Sequence, residues 1–129
     1  MANYWLIPGL DRQAYLKNTM NLDVQRFMDA FFLATNTNEY TLFGKSRKAE
    51  YVRPRQMLHY LMWVNFHKNL SFQTIGLLTG GKDHATVMHS KRAVLNDMET
   101  NPVYQEELIR VVTEMRKNFN VFPIKIVAL

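Results

Sequence analysis

The side chains with most to offer a binding partner are gathered at Lys82-Asp83-His84-Ala85-Thr86, directly behind Gly80-Gly81, with His89 a little further on. A carboxylate at Asp83 can accept from a cytosine amino group, and an imidazole at His84 can donate or accept. The methyls of Ala85 and Thr86 can touch a thymine methyl. Such a set suits the reading of base edges better than the breaking of bonds.

The chemistries that histidines usually signal fit the spacing poorly. His84 and His89 stand about 140° apart around a helix, so they do not chelate as a pair. His59 and His67 lie two helical turns apart with no carboxylate beside them. Asp83 and His84 are adjacent and point to different faces, and no nucleophile is placed by spacing. The chain has no cysteine, which excludes disulfides, thiolate metal sites and a thiol nucleophile. Gly80-Gly81-Lys82 is not a nucleotide-binding loop, because the flanking spacing is wrong and no buried strand leads into it. No metal, no cofactor, no nucleotide and no enzymatic activity are expected.

A helix-turn-helix would present these residues. Ser71 is a good N-cap for a short helix ending at Leu77 or Leu78, and Thr79-Gly80-Gly81-Lys82 forms a glycine turn. A second helix runs from about Asp83 to Met98, with Val87, Ser90, Val94 and Met98 inward. Such a helix can enter a major groove amino end first.

The remaining elements follow from punctuation and periodicity. Residues 1–11 form an extended arm around Pro8-Gly9. A helix spans about Asp11 to Ala34, with a break near Thr19-Met20-Asn21 as one option. Phe27, Phe31 and Ala34 form its apolar stripe, and Asn36-Thr37-Asn38 ends it. Tyr40–Gly44 makes a turn or a single helical turn, and Lys45–Arg53 is a polar stretch. Pro54 opens a helix to about Lys68, with Met57, Leu58, Leu61, Val64 and Asn65 on one face. A last helix runs from about Val103 to Asn118, with Leu108, Val111, Val112 and Met115 inward. The tail Val121–Leu129 is β-like and packs on the N-terminal arm. The expected fold class is all-α, a compact helical domain with short extended arms at both ends.

The chain has 129 residues, 47% hydrophobic and 21% charged, which suits one globular domain over residues 1–129. No apolar run approaches the roughly 20 residues of a membrane span, and no secretory signal opens the chain, so a cytoplasmic, nucleoid-associated location is expected. The net charge of +5 is unevenly spread. Residues 44–98 hold nine Lys/Arg against three Asp/Glu, whereas the remainder holds seven against eight. All the positive excess therefore lies in the middle of the chain. It fits a nucleic-acid surface or, more simply, a solvated basic face without a ligand.

The order of these segments resembles the C-terminal DNA-binding domain (domain IV) of the bacterial replication initiator DnaA. Gly80–His89 looks like that family's signature. Arg53-Pro54-Arg55-Gln56 matches its Pro-Arg-Gln helix start, and Ser71-Phe72-Gln73-Thr74-Ile75-Gly76 matches its Ser-Leu-x-x-Ile-Gly element. The similarity covers residues 22–98, with the helix-turn-helix at 71–98. It implies binding to double-stranded DNA at DnaA-box-like sites. Arg47 would insert into the minor groove, where a narrow AT-rich groove attracts a cation. Arg55 and Gln56 would clamp phosphates, Asp83, His84 and Ala85 would read bases, and Lys82, Thr86 and His89 would contact the backbone.

The departures are also informative. Ala85 replaces the family's usual threonine and loses a hydroxyl. Trp63 and Phe66 replace more polar residues, which suggests a new packing or partner surface, and Ala93 stands where a lysine is common. The AAA+ ATPase that precedes domain IV in DnaA is absent from these residues. The resemblance thus points to a sequence-specific DNA binder acting as a replication accessory, competitor or regulator. The alternative is a protein-interaction module with the same fold and only non-specific DNA binding. Trp5 and the tail read as packing, or as a homo-oligomer contact.

Overall fold

The computed structural model describes residues 19–128. Among them the chain forms six helices and no strand: α1 (Thr19–Thr35), α2 (Glu39–Leu42), α3 (Ala49–Phe66), α4 (Phe72–Leu78), α5 (His84–Thr100) and α6 (Pro102–Arg116). The fold is all-α, as expected. The arm expected at 1–11, Trp5 and the helical turns expected at 11–18 lie outside the described residues.

In α1, Val24, Phe27, Met28 and Phe31 fall at i, i+3, i+4 and i+7 and are fully buried, the stripe an amphipathic helix turns to its core. The helix runs unbroken through Met20 and Asn21. It stops at Asn36, whose φ of 53° is left-handed, while the Thr37 N–H reaches back to the Phe32 carbonyl at 3.0 Å. Asparagine tolerates that conformation, which lets the Thr37 N–H satisfy an orphan carbonyl of the helix. Asn38 then caps α2 by accepting from the Thr41 N–H.

The partner of α1 is α6, which buries Tyr104, Leu108, Val111, Val112 and Met115 at the same periodicity. Asn101 accepts from the Val103 and Tyr104 N–H groups. Pro102 follows at the first helical position, where its missing donor is not needed. One residue, Asn101, therefore separates α5 from α6, and Pro102 starts the latter.

α3 is the central helix. Every residue from Met57 to Met62 is buried, so this helix has no solvent face over that stretch, and it packs chiefly on α5. Each large apolar side chain buried in this way contributes roughly 1.5–3 kcal/mol. Sequence reasoning opens α3 at Pro54, but the structure opens it five residues earlier. Lys48 is extended at the N-cap, and the Tyr51 and Val52 N–H groups both bond to its carbonyl at 2.9 Å. Proline keeps helical φ and forfeits only the bond to Glu50, which lies in an exposed turn.

The tail after α6 also differs from expectation. It is apolar yet forms no strand, because side chains serve its main chain. Tyr60 donates to the Ile126 carbonyl at 2.6 Å, and Arg116 donates to that of Ile124 at 2.6 Å. Asn65 both donates to the Lys125 carbonyl (3.0 Å) and accepts from its N–H (2.8 Å). With these partners present the segment needs no sheet. Phe119 and Phe122 meet edge to face with centroids 5.0 Å apart, and add edge-to-face contacts at 5.5 Å to Phe27 and Phe66 respectively. Phe66 is therefore a core residue, and Trp63 is stacked on Phe72. Of the packing or partner surface expected from Trp63 and Phe66, Phe66 shows packing, while Trp63 stays half-buried beside Phe72.

α4 meets the turn before α5 through Gly76. A Cβ there would lie 2.1 Å from the Lys82 carbonyl oxygen, and the Lys82 N–H bonds to the Gly76 carbonyl at 2.8 Å. Gly76→Ala must push main chain away from main chain. A loss of roughly 1–3 kcal/mol or more is expected in urea unfolding, whereas an alanine at exposed Gln73 should change stability by less than about 0.5 kcal/mol.

Candidate nucleic-acid interface

The segment Ser71–Thr100 folds as two helices joined by a glycine turn. Ser71 caps α4 by accepting from the Thr74 N–H at 3.1 Å. Gly80 and Gly81 have φ of 96° and 71°, left-handed values that side chains other than glycine adopt only with strain. Asp83 caps α5, its Oδ1 accepting from the Thr86 N–H at 2.9 Å and the Thr86 hydroxyl at 2.8 Å. These two bonds, the backbone one first, hold the Asp83 carboxyl below its ordinary pKa. Oδ2 takes part in neither.

The amino end of α5 faces solvent. His84, Ala85, Thr86 and His89 are exposed, while Val87, Ser90 and Val94 are buried one face away. The Thr86 hydroxyl is committed to Asp83. Arg47 is exposed on the loop from α2 to α3, together with Lys45 and Lys48. Gln56 is half-buried on α3. The expected contact residues thus divide between the start of α5, the loop and the first turns of α3.

Arg55 and Lys82 occupy a less predictable position. Arg55 donates through Nε to the Leu42 carbonyl and through Nη1 to that of Ser46 at 3.2 Å. Its Nη2 is buried without a partner. Lys82 Nζ donates to the carbonyls of Gly44 (3.0 Å) and Phe43 (3.4 Å). Burial lowers the pKa of both cations, and for Lys82 the nearby charges of Arg55 and Lys45 lower it further. The two side chains meet the same loop, Arg55 from α3 and Lys82 from the turn before α5. Lys91 lies elsewhere, its ammonium 4.2 Å from the centroid of the Trp63 ring, a cation–π contact that ties α5 to α3.

A buried polar set behind the turn escapes sequence reasoning. His59 on α3 is fully buried, with Nδ1 2.9 Å from Ser90 Oγ on α5 and Nε2 2.9 Å from Thr79 Oγ1 at the end of α4. One imidazole therefore ties together the three elements of the interface. His59 stands about 200° around the helix from Met57 and from Leu61, so its register gives no hint of its burial. The two hydroxyls can also donate to carbonyls of their own helices, Thr79 to Ile75 at 2.8 Å and Ser90 to Thr86 at 3.1 Å. A charged ring would thus still find acceptors. What keeps it neutral is burial first, and then the positive charges of Arg55 and Lys82, which together push its pKa down to about 3.

Comparison with known proteins places this geometry. A family model described as the bacterial dnaA protein helix-turn-helix matches residues 29–94, half of the chain. The chain belongs to that family. Chromosomal replication initiator protein DnaA of Porphyromonas gingivalis is 41% identical over 67 residues, covering 52% of this chain and 14% of the relative. The DnaA of Leifsonia xyli is 30% identical over 112 residues, covering 82% and 23%. That of Herminiimonas arsenicoxydans is 35% identical over 103 residues, covering 80% and 20%. The chain thus spans under a quarter of the length of each. The DnaA helix-turn-helix is a DNA-binding module rather than a catalytic family, and all the expected contact residues lie inside the matched span. No helix among the described residues is long and apolar enough to cross a membrane.

His59 makes stability pH-dependent with a definite sign. The unfolded chain binds a proton at His59 near pH 6.5, whereas the folded protein does so only near 3. Stability at this site is complete above 6.5 and falls as pH drops towards 3, with a slope approaching roughly 1.4 kcal/mol per unit,. Urea unfolding of the native protein and His59→Met between about pH 4 and about pH 7 should show a shallower decline in the variant. Parallel curves would mean that the ring takes no part in acid destabilisation.

Proposed function

We propose that this protein binds double-stranded DNA sequence-specifically at DnaA-box-like sites, and so acts as an accessory, competitor or regulator of replication initiation. One observation carries the reading: among the described residues nothing overlies the capped amino end of α5, and His84, Ala85 and Thr86 are all exposed. A helix docked in a major groove uses that end to reach base edges. In this reading residues 22–98 form the DNA-reading core, which α6 and the tail complete by packing.

The roles divide by position. His84 and Ala85 meet bases, and Asp83 offers Oδ2 as an acceptor while Oδ1 holds the cap. Thr86 and His89 approach the sugar–phosphate backbone from α5, and Gln56 does so from α3. Arg47 enters the adjacent minor groove. Arg55 and Lys82 stand behind this surface and add to the positive field that a phosphate meets. Phosphate contacts set the register, and base contacts choose the sequence. Ala85 keeps a methyl for thymine but has no hydroxyl, so the preferred site differs from a consensus DnaA box at the base pair it faces. The burial of Phe66 takes one residue from the aromatic surface that favours the reading as a protein-interaction module, while Trp63 and Ala85 keep their places.

Selection from random duplex DNA, read by sequencing, tests the proposal directly. A single enriched motif related to a DnaA box is the expected result; recovery of no motif, with weak binding to every duplex, overturns it. On the selected site, neutralising about five phosphates gives a log K against log salt slope of roughly −4 to −5. His84→Ala should cost roughly 1–3 kcal/mol and relax preference at one base pair, whereas His89→Ala should weaken all duplexes alike.

A further inference from the structure

The loop Phe43–Lys48 carries Arg47, Lys45 and Lys48, yet it has little structure of its own to hold it. Carbonyls of the loop, and of Leu42 just before it, are what fix it. Those of Leu42 and Ser46 point to Arg55 on α3, and those of Phe43 and Gly44 point to Lys82 in the helix-turn-helix turn. The third contact is steric. A Cβ on Gly80 would lie 2.6 Å from the Phe43 carbonyl oxygen and 2.7 Å from Phe43 Cβ, so the glycine turn and the loop are in direct contact. Lys82 immediately precedes Asp83, the cap of α5.

We propose that Arg55 and Lys82 are positioning residues that lock the Arg47 loop to the amino end of α5, so that minor-groove and major-groove contacts are made in one fixed register. Their N–H groups act on the protein's own main chain, and their effect on DNA passes through Arg47. The proposal rests on the DNA-reading function argued above. It departs from the sequence expectation that Arg55 clamps a phosphate, because that role predicts a uniform loss of affinity for all duplexes. A brace predicts a selective loss.

Two measurements separate these roles. The first needs no DNA: trypsin cuts after Lys45, Arg47 and Lys48 should accelerate in Lys82→Met and Arg55→Met, with helical content unchanged by circular dichroism. Methionine keeps the apolar stem of either residue. An unchanged cutting rate in the loop overturns the brace, whatever the protein does on DNA.

The second compares the selected site with AT-rich and with GC-rich flanks. Lys82→Met should lose the AT preference to the same degree as Arg47→Ala, and the double variant should lose no more of it than either single one. The order of preference at the base pairs facing α5 should survive. Gly80→Ala, which displaces the loop without removing a charge, should reproduce the loss of AT preference. Equal weakening on both flanks by Lys82→Met, adding in full to Arg47→Ala, would make Lys82 a phosphate contact and overturn the proposal. Faster loop cutting in a protein whose native form shows no sequence preference would leave the brace standing and remove the function it was taken to serve.

Discussion

Lys82 is held against Gly76 by main chain alone, and the rest of the interface takes its geometry from that contact. The Lys82 N–H bonds to the Gly76 carbonyl, and its own carbonyl sits where any side chain at 76 would be. No rotamer change can relieve a backbone-on-backbone contact, so the angle between α4 and the start of α5 is rigid. Asp83 then caps α5 one residue later, which sets where His84 and Ala85 emerge. The short α4 has few residues with which to resist displacement. A direct contact of this kind substitutes for the length that stabilises longer helix pairs.

Behind the turn the same rigidity is obtained by polar means. His59 reaches both Thr79 and Ser90, so a shift of α5 along α3 would strand a buried hydrogen-bonding group. Leaving such a group unsatisfied costs roughly 1–3 kcal/mol, which penalises small displacements that an apolar contact would tolerate by repacking. The arrangement is directional where the surrounding core of Leu58, Leu61, Val87 and Val94 is not. The core makes the association of α3 and α5 favourable, and the histidine selects one relative placement.

Much of this was legible in the sequence, and the parts that were not have physical reasons. The periodicity of α1, α5 and α6 and the cap Ser71 are local features, readable from residue type and spacing. The inward stripe Val87, Ser90 and Val94 was legible for the same reason. Pro54 misled because proline marks a helix start only statistically; it is also tolerated in the second turn, where the forfeited bond falls in an exposed segment. The tail misled because its apolar alternation resembles a strand, while its hydrogen bonds go to Tyr60, Asn65 and Arg116, many positions away. Arg55 is the instructive case. Its charge and its place at a helix start were visible, but the direction of its guanidinium depends on the loop carbonyls that the fold brings to it. His59 was weighed only as a metal ligand, since nothing local reveals that Thr79 and Ser90 converge on it.

Among the described residues, ion pairs form where the chain is close to neutral and none forms where it is basic. Arg26–Asp23, Arg110–Glu107 and Lys117–Glu114 are ion pairs three residues apart, and all lie outside residues 44–98. Inside that span Arg55 and Lys82 are directed at carbonyl dipoles, Lys91 at an aromatic face, and Arg47 is left in solvent. Dipoles and π-clouds orient a cation without cancelling its charge, as a carboxylate would. Burial first, and then the neighbouring charges of Arg55 and Lys45, lower the pKa of Lys82, and net charge of one sign costs stability. A field retained at that cost falls off over about 8 Å at physiological salt, so only a dense row of anions brought into contact can exploit it. A nucleic-acid backbone is such a row. The brace at Arg55 and Lys82 then has two effects at once: it fixes the loop, and it keeps two uncancelled charges beneath the surface on which a phosphate would come to rest.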